Sequence, residues 1–199
     1  SPHCRLKIGF HVLTILINCV LHLVNDVIGP RGARLHVPHY CRRLLIHYLS
    51  LSLQSVADCL NRGRQALVLL PEIALTPQTL ARFEARFEAP VIALHSGMGE
   101  AERDRAWTSA RRGRAAVILG TRSSVFVPLL SPGLIIVDEE HDAAYVQQDG
   151  FRYSARDVAI KRAQLEQCPV VLGSATPSLE SWHNAELGRF QRHSLTQRA

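Results

Sequence analysis

Leu134-Ile-Ile-Val-Asp-Glu-Glu-His-Asp-Ala-Ala-Tyr145 decides how the rest of the chain is read. Four apolar residues run directly into three acids and a histidine. A short continuous apolar run fits a strand buried on both faces of a parallel sheet. Asp138, Glu139 and Glu140 then stand at its C-terminal end, the edge at which open α/β sheets bind ligands. Three adjacent carboxylates repel one another, so such a cluster has a cation or a proton to manage. A strand ending in an ordinary solvated acidic turn would read the same way, and the choice rests on the surrounding sequence.

On both sides of this stretch, apolar runs alternate with helical patterns. Gln54–Leu60 carries Val56, Ala57 and Leu60 at helical spacing and is closed by Gly63. Gln65–Leu70 reads as a strand, and Thr76-Pro77 then opens a helix with Leu80, Phe83 and Phe87 on one face. Val91–Leu94 is a strand and Glu100–Arg112 a charged helix stopped by Gly113. Ala115–Leu119 is a strand, and Ser154–Gln167 is a helix with Ser154 placed as its cap. Val170–Leu172 and Ser178–Leu187 complete the series as strand and helix. Five strands separated mostly by helices predict a parallel α/β lobe with right-handed crossovers, spanning residues 54–199.

Residues 1–53 do not share this regularity and are set apart as an atypical N-terminal segment. They contain one acid, Asp26, while six of the ten histidines fall in residues 1–60. Residues 1–60 hold six Lys/Arg against two acids, whereas residues 61–199 hold 17 against 15. The formal charge of +6 therefore comes mainly from the irregular part, which weakens it as a sign of an anionic partner. Ile8 to Val24 is apolar but interrupted by His11, Asn18 and His22, and too short to span a bilayer comfortably. The five cysteines show no CxxC and no zinc-ligand spacing, so no zinc site is expected and reduced thiols of a cytoplasmic protein fit better than disulfides.

Three further stretches fall at strand C-termini: Pro71-Glu-Ile-Ala-Leu-Thr-Pro-Gln78, Gly120-Thr-Arg-Ser-Ser-Val-Phe126 and Gly173-Ser-Ala-Thr-Pro177. Each alone could be a turn or a helix cap. In this order, with Asp-Glu-Glu-His between the last two, they resemble the first motor lobe of superfamily 2 nucleic-acid helicases. With His95-Ser-Gly97 and the run Tyr145-Val-Gln-Gln-Asp-Gly-Phe-Arg-Tyr-Ser-Ala-Arg-Asp157, the resemblance narrows to the PriA family of primosomal replication-restart helicases. It covers Gln54 to the C-terminus.

The resemblance implies a RecA-like lobe of P-loop NTPase type, using ATP and Mg²⁺, and a 3′→5′ DNA helicase activity in primosome assembly. Asp138 would hold Mg²⁺ through water, and Glu139 would orient and deprotonate the attacking water. His141 would link the nucleotide to Ser174 and Thr176. Glu140 has no role beyond the motif. Thr121, Arg122 and Ser123 would contact DNA phosphates. Tyr145, Phe151 and Tyr153 would stack on unpaired bases while Arg152 and Arg156 track the backbone. For His141, a turn or cap histidine is the plain alternative. For residues 145–157 the plain alternative is a loop pinned by its aromatics onto its own lobe, and His95 reads as part of a structural turn. The implied partners are single-stranded or forked DNA and other replication-restart proteins, with no membrane.

One element the family needs is missing. A phosphate cradle of the form GxxxxGK[ST] should precede the helix at Gln54–Leu60, yet Cys41-Arg-Arg-Leu-Leu-Ile-His-Tyr-Leu-Ser-Leu-Ser-Leu53 stands there without glycine or lysine. Lys7 and Lys161 are the only lysines, and neither follows a glycine loop. No second motor lobe with its arginine finger, no zinc module and no upstream DNA-end-binding domain is expected within these 199 residues. The expectation is a helicase fragment inactive alone, with residues 1–53 disordered or translated out of frame. The alternative is a stand-alone module holding single-stranded DNA or a partner with a degenerate lobe.

Overall fold

β5 (Pro132–Asp138) is the middle strand of a seven-stranded sheet. The computed structural model describes residues 12–16 and 53–194. The strands are β1 (Val12–Leu16), β2 (Gln65–Leu69), β3 (Val91–Leu94), β4 (Val117–Gly120), β5, β8 (Val170–Ser174) and β9 (Gln191–Ser194). Their order is β3-β4-β2-β5-β8-β1-β9, and every neighbouring pair runs parallel. A separate antiparallel hairpin joins β6 (Val146–Gln147) to β7 (Tyr153–Ser154).

The helices alternate with the strands because the apolar pattern switches period between them. α1 spans residues 53–61 and buries Val56 and Cys59, and Gly63 (φ 67°) turns the chain out of it. α2 (Pro77–Arg86) starts at Thr76, whose side chain accepts from the Thr79 N–H, with Pro77 in the first turn. α3 (Glu100–Arg111) has Glu100 and Glu102 at its positive end and Arg111 at its negative end. α4 (Ala155–Glu166) is capped by Ser154, and α5 (Leu179–Glu186) by Ser178.

Successive strand residues face opposite sides, so the sheet makes two cores. Leu67, Leu69, Ile135, Val137, Val170 and Leu172 pack with Ala110 of α3 and Ala155, Ala159 and Ala163 of α4. Ala66, Val68, Leu134, Ile136 and Val171 pack with Val56 of α1 and Phe83 of α2. The three alanines of α4 recur every fourth residue and let that helix lie close to the sheet. Each buried aliphatic side chain contributes about 1.5–3 kcal/mol.

The sequence reading stops at five strands, and the structure adds β1 and β9. β9 is Gln-Arg-His-Ser, an edge strand without the apolar run that marks the interior ones. β1 lies between β8 and β9, from within the segment set apart in the sequence. The rest of residues 1–53, including the Cys41–Leu53 stretch and most of the apolar run from Ile8 to Val24, lies outside the described residues. Among the described residues no helix is long and apolar enough to cross a membrane.

Register brings the motif-bearing ends together. Leu69 and Leu94 both align with Gly120, Asp138 aligns with Gly173, and Leu16 aligns with Ser174. One sheet edge therefore carries all the loops singled out in the sequence.

Candidate functional site

At Asp138 the strand ends and the chain turns sharply. Glu139 has φ 47°, a left-handed conformation that is uncommon outside glycine. This corner lets the Glu140 N–H donate to the Gly173 carbonyl (3.0 Å) and the Asp142 N–H donate to the Glu139 carbonyl (2.8 Å). Strain of this kind persists only where surrounding bonds over-determine it. Here the Tyr145 hydroxyl also donates to the Asp138 carbonyl, at 2.7 Å.

The corner aims Glu139 and His141 at the end of β8. His141 Nδ1 lies 2.7 Å from the Ser174 hydroxyl, and Nε2 lies 3.2 Å from the Thr176 hydroxyl. The Thr176 N–H donates to Ser174 Oγ at 3.0 Å, which fixes the hydroxyl facing the ring. A Glu139 carboxylate oxygen is 3.6 Å from His141 Nδ1. Burial pushes the Glu139 carboxyl above its ordinary pKa, and His141 and the Ala175 N–H pull it partly back. The three residues of the implied coupling set thus form one hydrogen-bonded unit beside Glu139.

Glu140 points the other way and is the residue the sequence reading left without a role. Its side chain is fully buried and accepts from the Ser178 N–H (2.7 Å), the Ser178 hydroxyl (3.0 Å) and the Ser181 hydroxyl (2.9 Å). Arg156 adds a fourth bond at 3.2 Å. One carboxylate therefore caps α5 and holds the start of α4. The third acid of the motif was the available signal, together with the Ser-x-x-Ser spacing of 178 and 181, but neither reveals its partner forty residues away.

The implied DNA-contacting residues divide. Ser123 and Phe151 are exposed, with Phe151 79% accessible, and Arg152 is exposed with its Nε bonded to the Gln148 carbonyl. Arg122 donates to the carbonyls of Ala144 and Val146, so it ties the turn after β4 to the 145–157 stretch. Tyr153 meets Phe126 edge to face at 5.0 Å and lies 6.2 Å from Phe151. Three expectations need correction. Tyr145 is 1% exposed and lies in the core, so it has no face to offer a base. Thr121 is buried and its N–H donates to the Leu94 carbonyl, so its part is to hold the turn. Arg156 spends its guanidinium within the lobe, on Glu140, Ser178 and Asp157. The stretch is thus pinned at both ends to the acid run, Tyr145 on Asp138 and Arg156 on Glu140, with Phe151 and Arg152 at its tip.

Among the described residues no group of three or more His, Cys, Asp or Glu could cage a metal ion. Asp138 and Glu139 suit a hydrated Mg²⁺ that takes its remaining ligands from water and phosphate oxygens. The phosphate half does not fit: the sequence holds no GxxxxGK[ST] to cradle those oxygens.

Residues 46–185 match the family described as DEAD/DEAH box helicase. The chain is 48% identical over 147 residues to Replication restart protein PriA of Haemophilus influenzae, covering 74% of this chain and 20% of that protein. It is 46% identical to the PriA of Bacillus subtilis, covering 73% and 18%, and 50% identical to that of Synechocystis, covering 72% and 18%. It spans about a fifth of the length of these curated relatives. Solved structures share the fold at low identity. Yeast Dbp5 bound to RNA and ADP BeF3 superposes with TM-score 0.52 at 12% identity, covering 94% of this chain and 41% of that one. RecG bound to a three-way DNA junction gives 0.50 at 21%, covering 73% and 18%. The strand order, the acid-histidine corner bonded to the Ser-Ala-Thr turn and these matches agree: the chain belongs to the DEAD/DEAH box helicase family.

Proposed function

We propose that this chain is the first motor lobe of a replication-restart DNA helicase, acting in the cytoplasm on single-stranded or forked DNA with other restart proteins. The observation that carries this reading is the hydrogen-bonded unit of His141, Ser174 and Thr176 beside Glu139, set at the corner to which the 145–157 stretch is anchored. Such an arrangement suits a lobe in which occupancy of a nucleic-acid surface and the state of a nucleotide site are felt by the same residues. Bound ATP and Mg²⁺ would supply the phosphoryl chemistry in the family. In this chain Asp138 and Glu139 retain the acidic half of that site, and the sequence carries no GxxxxGK[ST] cradle for the phosphates.

The same lack favours a second reading, in which the lobe holds single-stranded DNA without turning over ATP. Residues 1–53 then read as out-of-frame or fused text standing where the cradle belongs; a Gly-x-Gly-Lys-Thr in another reading frame just upstream of codon 54 is the expected sign. Two measurements on the purified chain test the proposal. Fluorescence anisotropy with an oligothymidylate should show salt-sensitive binding, and Arg152→Ala should flatten the salt slope by about one phosphate contact, roughly 0.7 in log–log terms. ATP hydrolysis should stay at background with or without DNA. A DNA-dependent turnover of about 1 s⁻¹ or faster that Glu139→Gln abolishes would show that the cradle is dispensable. Absence of DNA binding at low salt would refute the lobe's role on DNA.

A further inference from the structure

The sheet edge opposite the motif loops holds a second cluster of charge. α1 and α3 leave their last turns through the same three residues, Arg62-Gly63-Arg64 and Arg112-Gly113-Arg114. Each glycine is left-handed, at φ 67° and 69°, and turns the chain toward a strand, β2 or β4. β2 and β4 are neighbours, with Ala66 aligned on Val117, so the two Arg-Gly-Arg turns stand at the starts of adjacent strands.

Gln65 locks them together. Its buried side chain donates to the carbonyls of Ala110 (3.0 Å) and Ala115 (2.6 Å). It accepts from the N–H groups of Leu130 (2.7 Å) and Ser131 (3.0 Å). One amide thus uses both donors and both lone pairs to hold the turns that lead into β2, β4 and β5. Arg64 adds bonds from Nε and Nη2 to the Pro132 carbonyl. Leu130 packs on Gly113, where a Cβ would meet its side chain at 2.8 Å.

The outcome is a fixed group of exposed arginines. Arg62, Arg111, Arg112 and Arg114 are exposed, and among the described residues none of them pairs with a carboxylate. Residues 61–65, 110–116 and 128–132 contain no acid and no aromatic side chain. Beside the second turn an open cleft of about 390 Å³ adds Arg105, Thr108 and Ser109, with Asp104 as its one acid. Grouped like charges repel one another, so the cluster gains from an anion laid across it.

We propose that this edge binds the phosphate backbone of duplex DNA, as a second contact separate from the motif loops. The inference rests on the reading of the lobe as part of a helicase that works on forked DNA. Guanidiniums with no acid among them suit phosphates. The lack of a ring to stack on unpaired bases favours a duplex, whose bases face inward, over a single strand. An acidic peptide is the competing occupant. It would also seek apolar contact, and the cleft is lined by charged and hydroxyl side chains only. Beyond Leu130, the three turns expose no large apolar side chain.

Anisotropy titrations of the full chain with a labelled blunt-ended duplex test the assignment. Binding should be salt-sensitive. Arg112→Gln combined with Arg114→Gln should reduce the log–log salt slope by about 1.8, or about 0.9 for each lost phosphate. A control pair of equal charge, Arg82→Gln with Lys161→Gln, removes exposed cations from α2 and α4 and should leave that slope alone. Oligothymidylate binding should keep its slope in the Arg112 and Arg114 variant and stay sensitive to Arg152→Ala. Should that variant fail to fold by circular dichroism, Arg62→Gln with Arg111→Gln takes its place with the same expectation. A chain that binds oligothymidylate but no duplex sinks the duplex surface and leaves the reading of the lobe standing; one that binds neither loses both. An equal drop in slope from the control pair would mean that overall charge, and not this edge, attracts the DNA. A polyglutamate peptide that binds through the same arginines, while duplex binding survives their loss, would assign the edge to an acidic protein instead.

Discussion

Glu139 and Glu140 are neighbours with the same side chain and opposite surroundings. Glu140 is saturated by three serine donors and an arginine. Glu139 sits in a left-handed corner, partly desolvated, with His141 as its charged neighbour when that ring is protonated. Its raised pKa means that the folded chain binds this proton more tightly than the unfolded chain. Ionised Glu139 is therefore a cost to stability at neutral pH, and the cost disappears as pH falls through the raised value toward that of an ordinary glutamate. Glu139→Gln carries no such proton. It should be more stable than the parent at pH 7, with the difference shrinking to nothing near about pH 4. Urea melts across that range read the result; a variant less stable than the parent at pH 7 would mean that the ionised carboxylate is held by favourable bonds.

Between elements, the decisive link is the contact of α4 with α5 through Glu140. Arg156 opens α4 with a side chain 15% exposed, while Glu140 is fully shielded. Removing one partner of a buried pair leaves the other charge uncompensated, which costs more than the pair contributes. Arg156→Ala should lower stability by about 3 kcal/mol, and adding Glu140→Gln should recover part of the loss. Chemical denaturation of the two variants checks both statements. A loss under about 1 kcal/mol in Arg156→Ala would mean that the serine donors alone satisfy the carboxylate. The same variant frees one end of the 145–157 stretch, so the anchoring of Phe151 and Arg152 depends on a bond far from either.

Across the lobe, β1 closes the sheet on the far side of β8. It pairs with β8 through five residues and with β9 through four, so it lies inside the sheet and not at its rim. Without it, β8 would present an unpaired edge directly beneath Ser174, and such edges invite pairing with other chains. Thr14→Pro, in the middle of β1, removes a backbone donor from the ladder. It should cost at least about 1 kcal/mol and increase concentration-dependent scattering on heating. A variant that melts and scatters like the parent would show that β8 and β9 hold the sheet unaided.

Periodicity alone marked five parallel strands and the helices between them, because buried strands are continuous apolar runs and the helices carry Thr76, Ser154, Ser178, Gly63 and Gly113 as local punctuation. The grouping of Asp138, Glu139, His141, Ser174 and Thr176 came from the family resemblance that the short polar motifs at strand ends carry. Those are properties of neighbours in the chain. What required three dimensions was which side chains face one another across the sheet edge. Tyr145 and Phe151 are both aromatic and six residues apart, yet one is core and the other is 79% exposed. Glu140 finds Ser178, and Trp107 comes to line a cleft with Phe126, only through the parallel register that aligns Leu94 with Gly120 and Asp138 with Gly173. β1 escaped the sequence reading for the same reason, since a short apolar run becomes a strand when two parallel partners offer their hydrogen bonds.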